Sequence, residues 1–193
     1  MIRLAFSGPA GTGKTFLAKH CESLYGGRVL SFASSLKRWA GDIGWDGLKD
    51  EKGRLLLQEL GQVVRRYDQD TWVRLALESE GFGVFRGWNG GLSVSCPPHT
   101  QNLFVDDLRF PNEADILGLL GFTLVRLLPE GFDLGERWRK DNSETALDDY
   151  DHDYYIRSVC GDLDGLKLDI KVVVADLMEG ANGGASESAE HES

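Results

Sequence analysis

The feature that most constrains this chain is a glycine-rich segment near its N-terminus. Residues 8–15 read GPAGTGKT and match the pattern G-x-x-x-x-G-K-[ST]. An apolar, strand-like stretch at residues 2–7 precedes the segment, and a helix is predicted at residues 14–25. A turn in this context presents backbone N–H groups and the positive end of a helix to an anion. A phosphate-binding loop is therefore favoured over a glycine-rich turn that binds nothing.

Each part of the motif has its own task in binding ATP and Mg²⁺, the two cofactors that it predicts. The glycines let backbone amides surround phosphate oxygens, the lysine ammonium bridges the β- and γ-phosphates, and the threonine hydroxyl ligates Mg²⁺. Lys14 is also predicted to be catalytic. The predicted ATP-binding residues of the loop are Gly8, Gly11, Thr12, Gly13, Lys14 and Thr15, with Thr15 also assigned to the metal.

Strand and helix patterns alternate along the chain, which predicts an α/β fold of the P-loop NTPase type. In this three-layer fold a parallel sheet is covered by helices on both faces. The domain is expected to span residues 1–179, and residues 180–193, rich in Gly, Ala, Ser and Glu, are expected to be a disordered tail. Residues 81–102 are rich in glycine and proline and predict an inserted hairpin or a long surface loop.

Residues 129–142 form a polar segment that carries Arg137, Arg139 and Lys140. Two interpretations stay open: a lid that closes over ATP, with Arg139 as an ATP contact, or a solvated basic loop.

The composition limits the kinds of partner that this chain is expected to bind. The formal net charge is −10, and proteins whose main ligand is a nucleic-acid backbone usually present a basic surface. No run approaches the length of a membrane span, and no signal peptide is recognised at the N-terminus. Cys21, Cys96 and Cys160 lack metal-site spacing and are expected to be free thiols in a cytoplasmic protein. We expect small-molecule nucleotide partners, no nucleic-acid polymer and no membrane; a homodimer is left open.

The chain lacks motifs that are typical of other proteins with such a loop, and this favours a small-molecule kinase. The chain has no N-K-x-D guanine-reading motif. The apolar stretch 103–105 ends in Asp106 and Asp107 and lacks the glutamate that larger ATPases carry there.

A long amphipathic helix is predicted from about residue 50 to residue 79, with a break near residues 68–70. At the helical period one line carries polar residues, a glycine and an indole, while a separate apolar stripe suits the core. The line contains Arg54, Gln58, Gly61, Arg65, Asp68 and Trp72. Arginine suits a phosphate, glutamine a base edge and tryptophan a stacked base. The alternative is a solvated helix face.

Several segments together resemble the deoxynucleoside monophosphate kinases of tailed bacteriophages. The segments are SFASSLK (31–37), the helix from Arg54 to Arg65 with DTWV (70–73), VDDLRFPNE (105–113), and the closing S-E-x-x-L (143–147) and D-x-x-I (153–156). The resemblance covers residues 1–178 and is most specific in residues 107–113. Residues 81–102 are longer than that family usually has.

The resemblance implies ATP-dependent phosphorylation of deoxynucleoside 5′-monophosphates in viral DNA precursor synthesis. It assigns the acceptor-binding region to residues 34–80. Arg65 and Arg109 would be catalytic and would clamp the acceptor phosphate, and Asp107 would hold Mg²⁺. The remaining acceptor contacts it implies are Ser34, Lys37, Arg54, Gln58 and Trp72.

Alternatives remain for parts of this assignment. Arg109 could instead pair with Glu113, and Asp106 could be a second metal-side acid or a turn residue. The chain could also phosphorylate another small phosphorylated acceptor, or bind a nucleotide as a regulatory protein without turnover.

Overall fold

The computed structural model describes residues 1–48, 50–98, 101–132 and 142–183, without the side chains of residues 142, 144 and 181–183. Its strands are β1 Arg3–Ser7, β2 Arg28–Leu30, β3 Gly83–Arg86, β4 Leu92–Ser95, β5 Leu103–Leu108, β6 Thr123–Glu130 and β7 Tyr154–Val159. Its helices are α1 Lys14–Tyr25, α2 Phe32–Asp42, α3 Glu51–Tyr67, α4 Thr71–Glu78, α5 Pro111–Leu119, α6 Asn142–Thr145 and α7 Leu163–Gly183.

Five strands form one sheet in the order β2-β5-β1-β6-β7, and every neighbouring pair is parallel. This confirms the α/β class and the parallel sheet flanked by helices. Strand β1 lies in the middle and is buried along its length. The glycine-rich loop that follows it therefore leaves the sheet at the centre of its carboxyl edge, where open α/β sheets bind ligands.

The two faces of the sheet pack against different helices. One core cluster contains sheet residues such as Ala5 and Val105 together with residues of α2, α4 and α5. The other contains alternate residues of the same strands, such as Leu4 and Phe104, together with residues of α1 and α7. We call these the α2–α5 side and the α1–α7 side. A strand residue's side can be read from its position, because successive side chains point to opposite faces.

The segment at residues 81–102 contains an antiparallel hairpin made by β3 and β4. Val84 is buried in the core of the α2–α5 side, and Leu92 and Val94 pack against it. Arg86 donates to the buried Asp70 carboxylate, with Nε 2.5 Å from Oδ2. The hairpin is thus one of the predicted alternatives, and it is attached to the domain by packing and by an ion pair.

The predicted long helix is broken where expected, between α3 and α4. Its packing differs from the expected one. The apolar stripe of α3 was expected in the core, yet Val63 is 53% exposed and Tyr67 is 94% exposed. Only Gly53 and Gly61 of α3 are buried, because small residues let this helix lie close to its neighbours.

Helix α7 extends through Gly183, so residues 180–183 are helical although the tail was expected to begin at residue 180. The rest of that tail, residues 184–193, lies outside the described residues, as do residues 133–141 of the predicted lid. Within the described part of the chain no helix is long and apolar enough to cross a membrane. All three cysteines are free thiols, as predicted, and Cys21 is buried.

Candidate functional site

The loop between β1 and α1 has the backbone shape that its glycines were expected to permit. Gly8 has a φ of 135°, and a Cβ built there would lie 2.7 Å from the carbonyl oxygen of Leu127. Only glycine fits such a conformation and such a close approach. Gly11 and Gly13 also have positive φ values. The loop is therefore shaped by steric requirements at Gly8 that a larger residue could not meet.

Two side chains of the loop bond to its own backbone. The Lys14 ammonium donates to the carbonyl oxygens of Gly8 and Pro9 at 2.5 and 2.8 Å. The Thr12 hydroxyl donates to the carbonyl of Pro9 at 2.8 Å. Lys14 is 8% exposed, so its charge is held against the loop instead of extending into solvent.

Thr15, the first-turn hydroxyl of α1, donates to Asp106. The two oxygens, Thr15 Oγ1 and Asp106 Oδ2, are 2.8 Å apart. The other carboxylate oxygen of Asp106, Oδ1, is buried and has no hydrogen-bond partner among the described residues. A buried carboxylate oxygen without a partner is costly unless something satisfies it, and a cation beside the loop would do so.

Asp107, the predicted metal ligand, has both carboxylate oxygens bonded to the start of α2. Its Oδ1 accepts from the backbone N–H of Phe32, and its Oδ2 accepts from the Ser31 hydroxyl and the Ala33 N–H, all at 2.8 Å. These donors lie at the N-terminus of α2, where helical N–H groups lack partners. Burial raises the pKa of Asp107, and the neighbouring Asp106 raises it further. The geometry favours Asp106 as the metal-side acid and Asp107 as the residue that fixes α2.

The two predicted acceptor arginines lie around one buried carboxylate. Glu113, in the first turn of α5, is 1% exposed. Its Oε1 is 3.4 Å from Arg65 Nη2 of α3, and its Oε2 accepts from the backbone N–H groups of Arg109 and Phe110 at 2.9 and 3.1 Å. Burial raises the pKa of Glu113 to about 7, and Arg65 and the backbone donors oppose that rise.

Arg65 and Arg109 are held differently. The Arg65 guanidinium carbon lies 4.3 Å from the centre of the Phe110 ring, and its buried Nε has no hydrogen-bond partner within the described residues. The Arg109 side chain donates from Nη1 to the Ser143 hydroxyl at 3.2 Å. The alternative in which Arg109 pairs with Glu113 is therefore realised only by its backbone.

Trp72 was predicted to face a base, and the structure contradicts this. Its side chain is 1% exposed, packs edge-on against Trp39 and donates from Nε1 to the carbonyl of Gly61 at 3.3 Å. Because α3 ends at Tyr67, Trp72 does not continue the polar line of that helix. A Cβ built at Gly61 would lie 3.4 Å from Leu36 Cδ2, so this buried glycine lies close to α2.

The other predicted acceptor residues lie on α2 and α3. Arg54, Gln58 and Ser34 are exposed, and Lys37 is half-buried. The predicted ATP contact Arg139 falls in residues 133–141, outside the described residues.

The sequence reasoning missed a polar group next to the loop. Ser7 Oγ and His152 Nε2 are 2.7 Å apart, and His152 Nδ1 is 2.8 Å from the carbonyl oxygen of Tyr150. A carbonyl only accepts, so Nδ1 carries the proton and Nε2 accepts from Ser7. Burial lowers the pKa of His152. The Ser158 hydroxyl of β7 also donates to the carbonyl of Thr12 at 2.8 Å.

Arg126 is the second missed residue. It is a buried guanidinium in β6, 6% exposed, and it forms an ion pair with Asp148. The signal that could have found it is a single arginine inside an otherwise apolar strand at residues 122–128.

Asp106 and Thr15 are the side chains that could bind Mg²⁺ at the loop. Nowhere in the described ranges do three or more His, Cys, Asp or Glu side chains cluster so as to hold a metal. Mg²⁺ usually keeps several waters and binds one or two carboxylates together with substrate phosphates. Asp106 and Thr15 match that mode of binding.

Comparison with known proteins gives one informative similarity. No family model matches the chain. The chain is 33% identical over 148 residues to Uncharacterized protein ORF77 of Ictalurid herpesvirus 1 (strain Auburn). The alignment covers 76% of this chain and 59% of that protein, so the chain spans less than two thirds of its relative.

Proposed function

We propose that this chain is a P-loop kinase that transfers the γ-phosphoryl group of ATP to deoxynucleoside 5′-monophosphates. Lys14, the Gly8–Thr15 loop and Asp106 bind the donor side, and Arg65 and Arg109 bind the acceptor phosphate. The resemblance to phage deoxynucleoside monophosphate kinases supports the choice of acceptor. The similarity to a viral protein fits a role in viral DNA precursor synthesis, in the cytoplasm of the host cell.

The observation that carries the proposal is the division of charged residues between the two sides of one sheet edge. Asp106 meets Thr15 of α1, while Asp107 meets the N-terminus of α2. Arg65 and Arg109 come from separate elements and share Glu113. A regulatory protein that only binds ATP needs the first set of residues and has no use for the second.

The proposed reaction requires that the two substrates be held in position and that positive charge surround the transferring phosphoryl group. The phosphate oxygen of the acceptor is ionised at neutral pH, so no general base is required. Lys14 and the loop amides would hold the donor, and the two arginines would bring the second anion into line. Asp106 and Thr15 would hold Mg²⁺, whose charge neutralises β- and γ-phosphate oxygens when it is bound.

The test is a coupled assay of ADP release with a panel of deoxynucleoside monophosphates. We expect ADP release that depends on Mg²⁺ and is stimulated by at least one member of the panel. Lys14→Ala should lower kcat about 100-fold or more, because the variant loses a charge that acts on the transferring group. Its circular dichroism spectrum should match that of the wild type.

Two outcomes would overturn the proposal. ATP binding without ADP release on any member of the panel would favour the regulatory protein. Turnover with another small phosphorylated acceptor alone would keep the kinase and replace its substrate.

A further inference from the structure

Arg126 lies in the middle of β6, beside the carboxyl end of β1. It is paired in register with Ser7, the residue that leads into the loop. Its neighbours in β6, Val125 and Leu127, belong to the core of the α1–α7 side. Since strand side chains alternate, Arg126 points to the α2–α5 side, to which the proposed function assigns the acceptor.

The carboxylate that pairs with this guanidinium is itself accessible. Arg126 has a side chain 8% exposed, while its partner Asp148 is 45% exposed. Asp148 follows Leu147, which is buried in the core of the α2–α5 side. The carboxylate is therefore anchored next to the arginine and is reachable from solvent, so another anion could replace it.

Segment 143–148 contacts Arg109, which directly follows β5, and Arg126 of β6. Ser143, at one end of the segment, accepts a hydrogen bond from Arg109, and Asp148, at the other end, pairs with Arg126. Ser143 and Asp148, five positions apart in the chain, thus connect the two guanidinium groups through polar contacts. A phosphate that enters between them would compete with both partners at once.

From this arrangement we infer that Arg126 is a further ligand of the acceptor phosphate and that Asp148 is the counter-ion which the phosphate displaces. The inference rests on the proposed function and adds an acceptor residue to it. The buried charge of Arg126 needs a partner both with and without bound acceptor. Asp148 supplies that partner until the acceptor binds. The phosphate monoester dianion offers the guanidinium a bidentate contact of higher charge than a carboxylate.

The inference predicts opposite effects for the two members of the ion pair. Arg126→Gln removes the ligand, and we expect the KM for the acceptor to rise about tenfold or more, with the KM for ATP unchanged. Asp148→Asn removes the competing anion, and we expect the KM for the acceptor to fall about two- to fivefold. Arg126→Lys, which keeps the charge and loses the bidentate fork, should lie between the wild type and Arg126→Gln.

A binding measurement without turnover provides the second readout. The rise in Tm caused by the best deoxynucleoside monophosphate of the panel, measured without ATP, should be larger in Asp148→Asn than in the wild type and smaller in Arg126→Gln. The matched control is Arg74→Gln, since Arg74 pairs with Asp68 at 2.8 Å on the surface of α4. Neither acceptor measurement should change in that variant.

The outcomes separate this inference from the function on which it rests. If Asp148→Asn and Arg126→Gln both weaken acceptor binding, or neither changes it, the pair has a structural role and the inference is wrong. Wild-type turnover in the same assay would leave the kinase proposal standing. If the wild type shows no acceptor-stimulated turnover and no acceptor-induced rise in Tm, both fail.

Discussion

Two consecutive carboxylates in β5 are used in different ways. Asp106 accepts from Thr15 on the α1–α7 side, while Asp107 accepts from three donors at the start of α2. Their chemical identity is the same, so only their direction separates a proposed metal ligand from a helix cap. Replacing each carboxylate by an amide of the same shape tests that separation.

For Asp106→Asn we expect kcat to fall about 100-fold in the proposed reaction, because the amide carries no charge for Mg²⁺. The Mg²⁺ concentration that gives half-maximal rate should rise. Thermal unfolding should change little, since the amide oxygen can still accept from Thr15. A normal Mg²⁺ dependence in this variant would remove Asp106 from the metal site.

For Asp107→Asn we expect the reverse pattern. One carboxylate oxygen is replaced by an NH₂ group that cannot accept from the donors at the start of α2. Leaving buried donors unpaired costs about 1–3 kcal/mol, so Tm should fall. The Mg²⁺ dependence of the remaining activity should be that of the wild type; a shift there would support Asp107 as the ligand.

At the scale of single residues, the sequence identified the types of residue at the site better than the directions in which their side chains point. It named the loop from its motif, and it named both arginines around Glu113 from the resemblance to a known family. It placed Trp72 at a ligand because helical periodicity was extended across Asp68, beyond the end of α3. It missed Arg126 and His152, since only the packed sheet brings residues 126 and 152 beside Ser7.

Helix α3 shows how an element can be fixed by its smallest residues. Gly53 and Gly61 are its buried positions, and each is close to a neighbouring group. A Cβ at Gly53 would lie 2.0 Å from the carbonyl oxygen of Leu48, whereas one at Gly61 would lie 3.4 Å from Leu36 Cδ2 and Arg65 Nη1. The same substitution should therefore have opposite effects at the two positions.

Gly61→Ala should raise the stability of the domain. The added methyl group makes ordinary contacts, and alanine is favoured over glycine in a helix by about 1 kcal/mol. We expect a higher Tm and an unchanged KM for the acceptor. A large rise in that KM would mean that a ligand needs the space beside Gly61.

Gly53→Ala is the control in the same helix and should lower Tm. Its methyl group meets a backbone oxygen, which cannot rotate away as a side chain can, and the start of α3 must shift. Equal Tm changes for the two variants would contradict the packing of α3 described above.

At the scale of elements, the sequence located β1, α1 and the helical stretch that contains α3 and α4 within a few residues. The break before α4 was predicted, and the hairpin at residues 81–102 was one of two predicted alternatives. The packing of α3 could not be predicted in this way, because the exposure of Val63 and Tyr67 depends on where α2 and α4 lie. Periodicity gives the apolar face of a helix but not how much of that face a neighbour covers.

For the molecule as a whole, the buried titratable groups couple stability to pH. Burial raises the pKa of Glu113 to about 7 from an ordinary value of 4.5. The folded chain then holds a proton that the unfolded chain has released between these two values. The contribution of Glu113 to stability is present below about pH 4.5 and is lost as the pH rises through about 7.

Comparison with Glu113→Gln isolates this contribution. We expect the free energy of unfolding of the variant minus that of the wild type to increase between pH 5 and about pH 8 in urea titrations, because only the wild type loses stability over this range. Burial lowers the pKa of His152, and its contribution has the opposite sign, so the wild-type curve alone would not reveal Glu113. Parallel pH curves for the two proteins would contradict the assigned shift.

The register between β1 and β5 shifts by one residue near the carboxylates. Ala5 pairs with Val105, but Ser7 pairs with Leu108, so β5 holds one residue more than β1 over this stretch. That extra residue lets the strand offer a carboxylate to each side and still return Leu108 to the core. Shortening β5 by one residue there would make the ladder regular and leave one of the two helix starts without its acid. The starts of α1 and α2 therefore both constrain the length of β5.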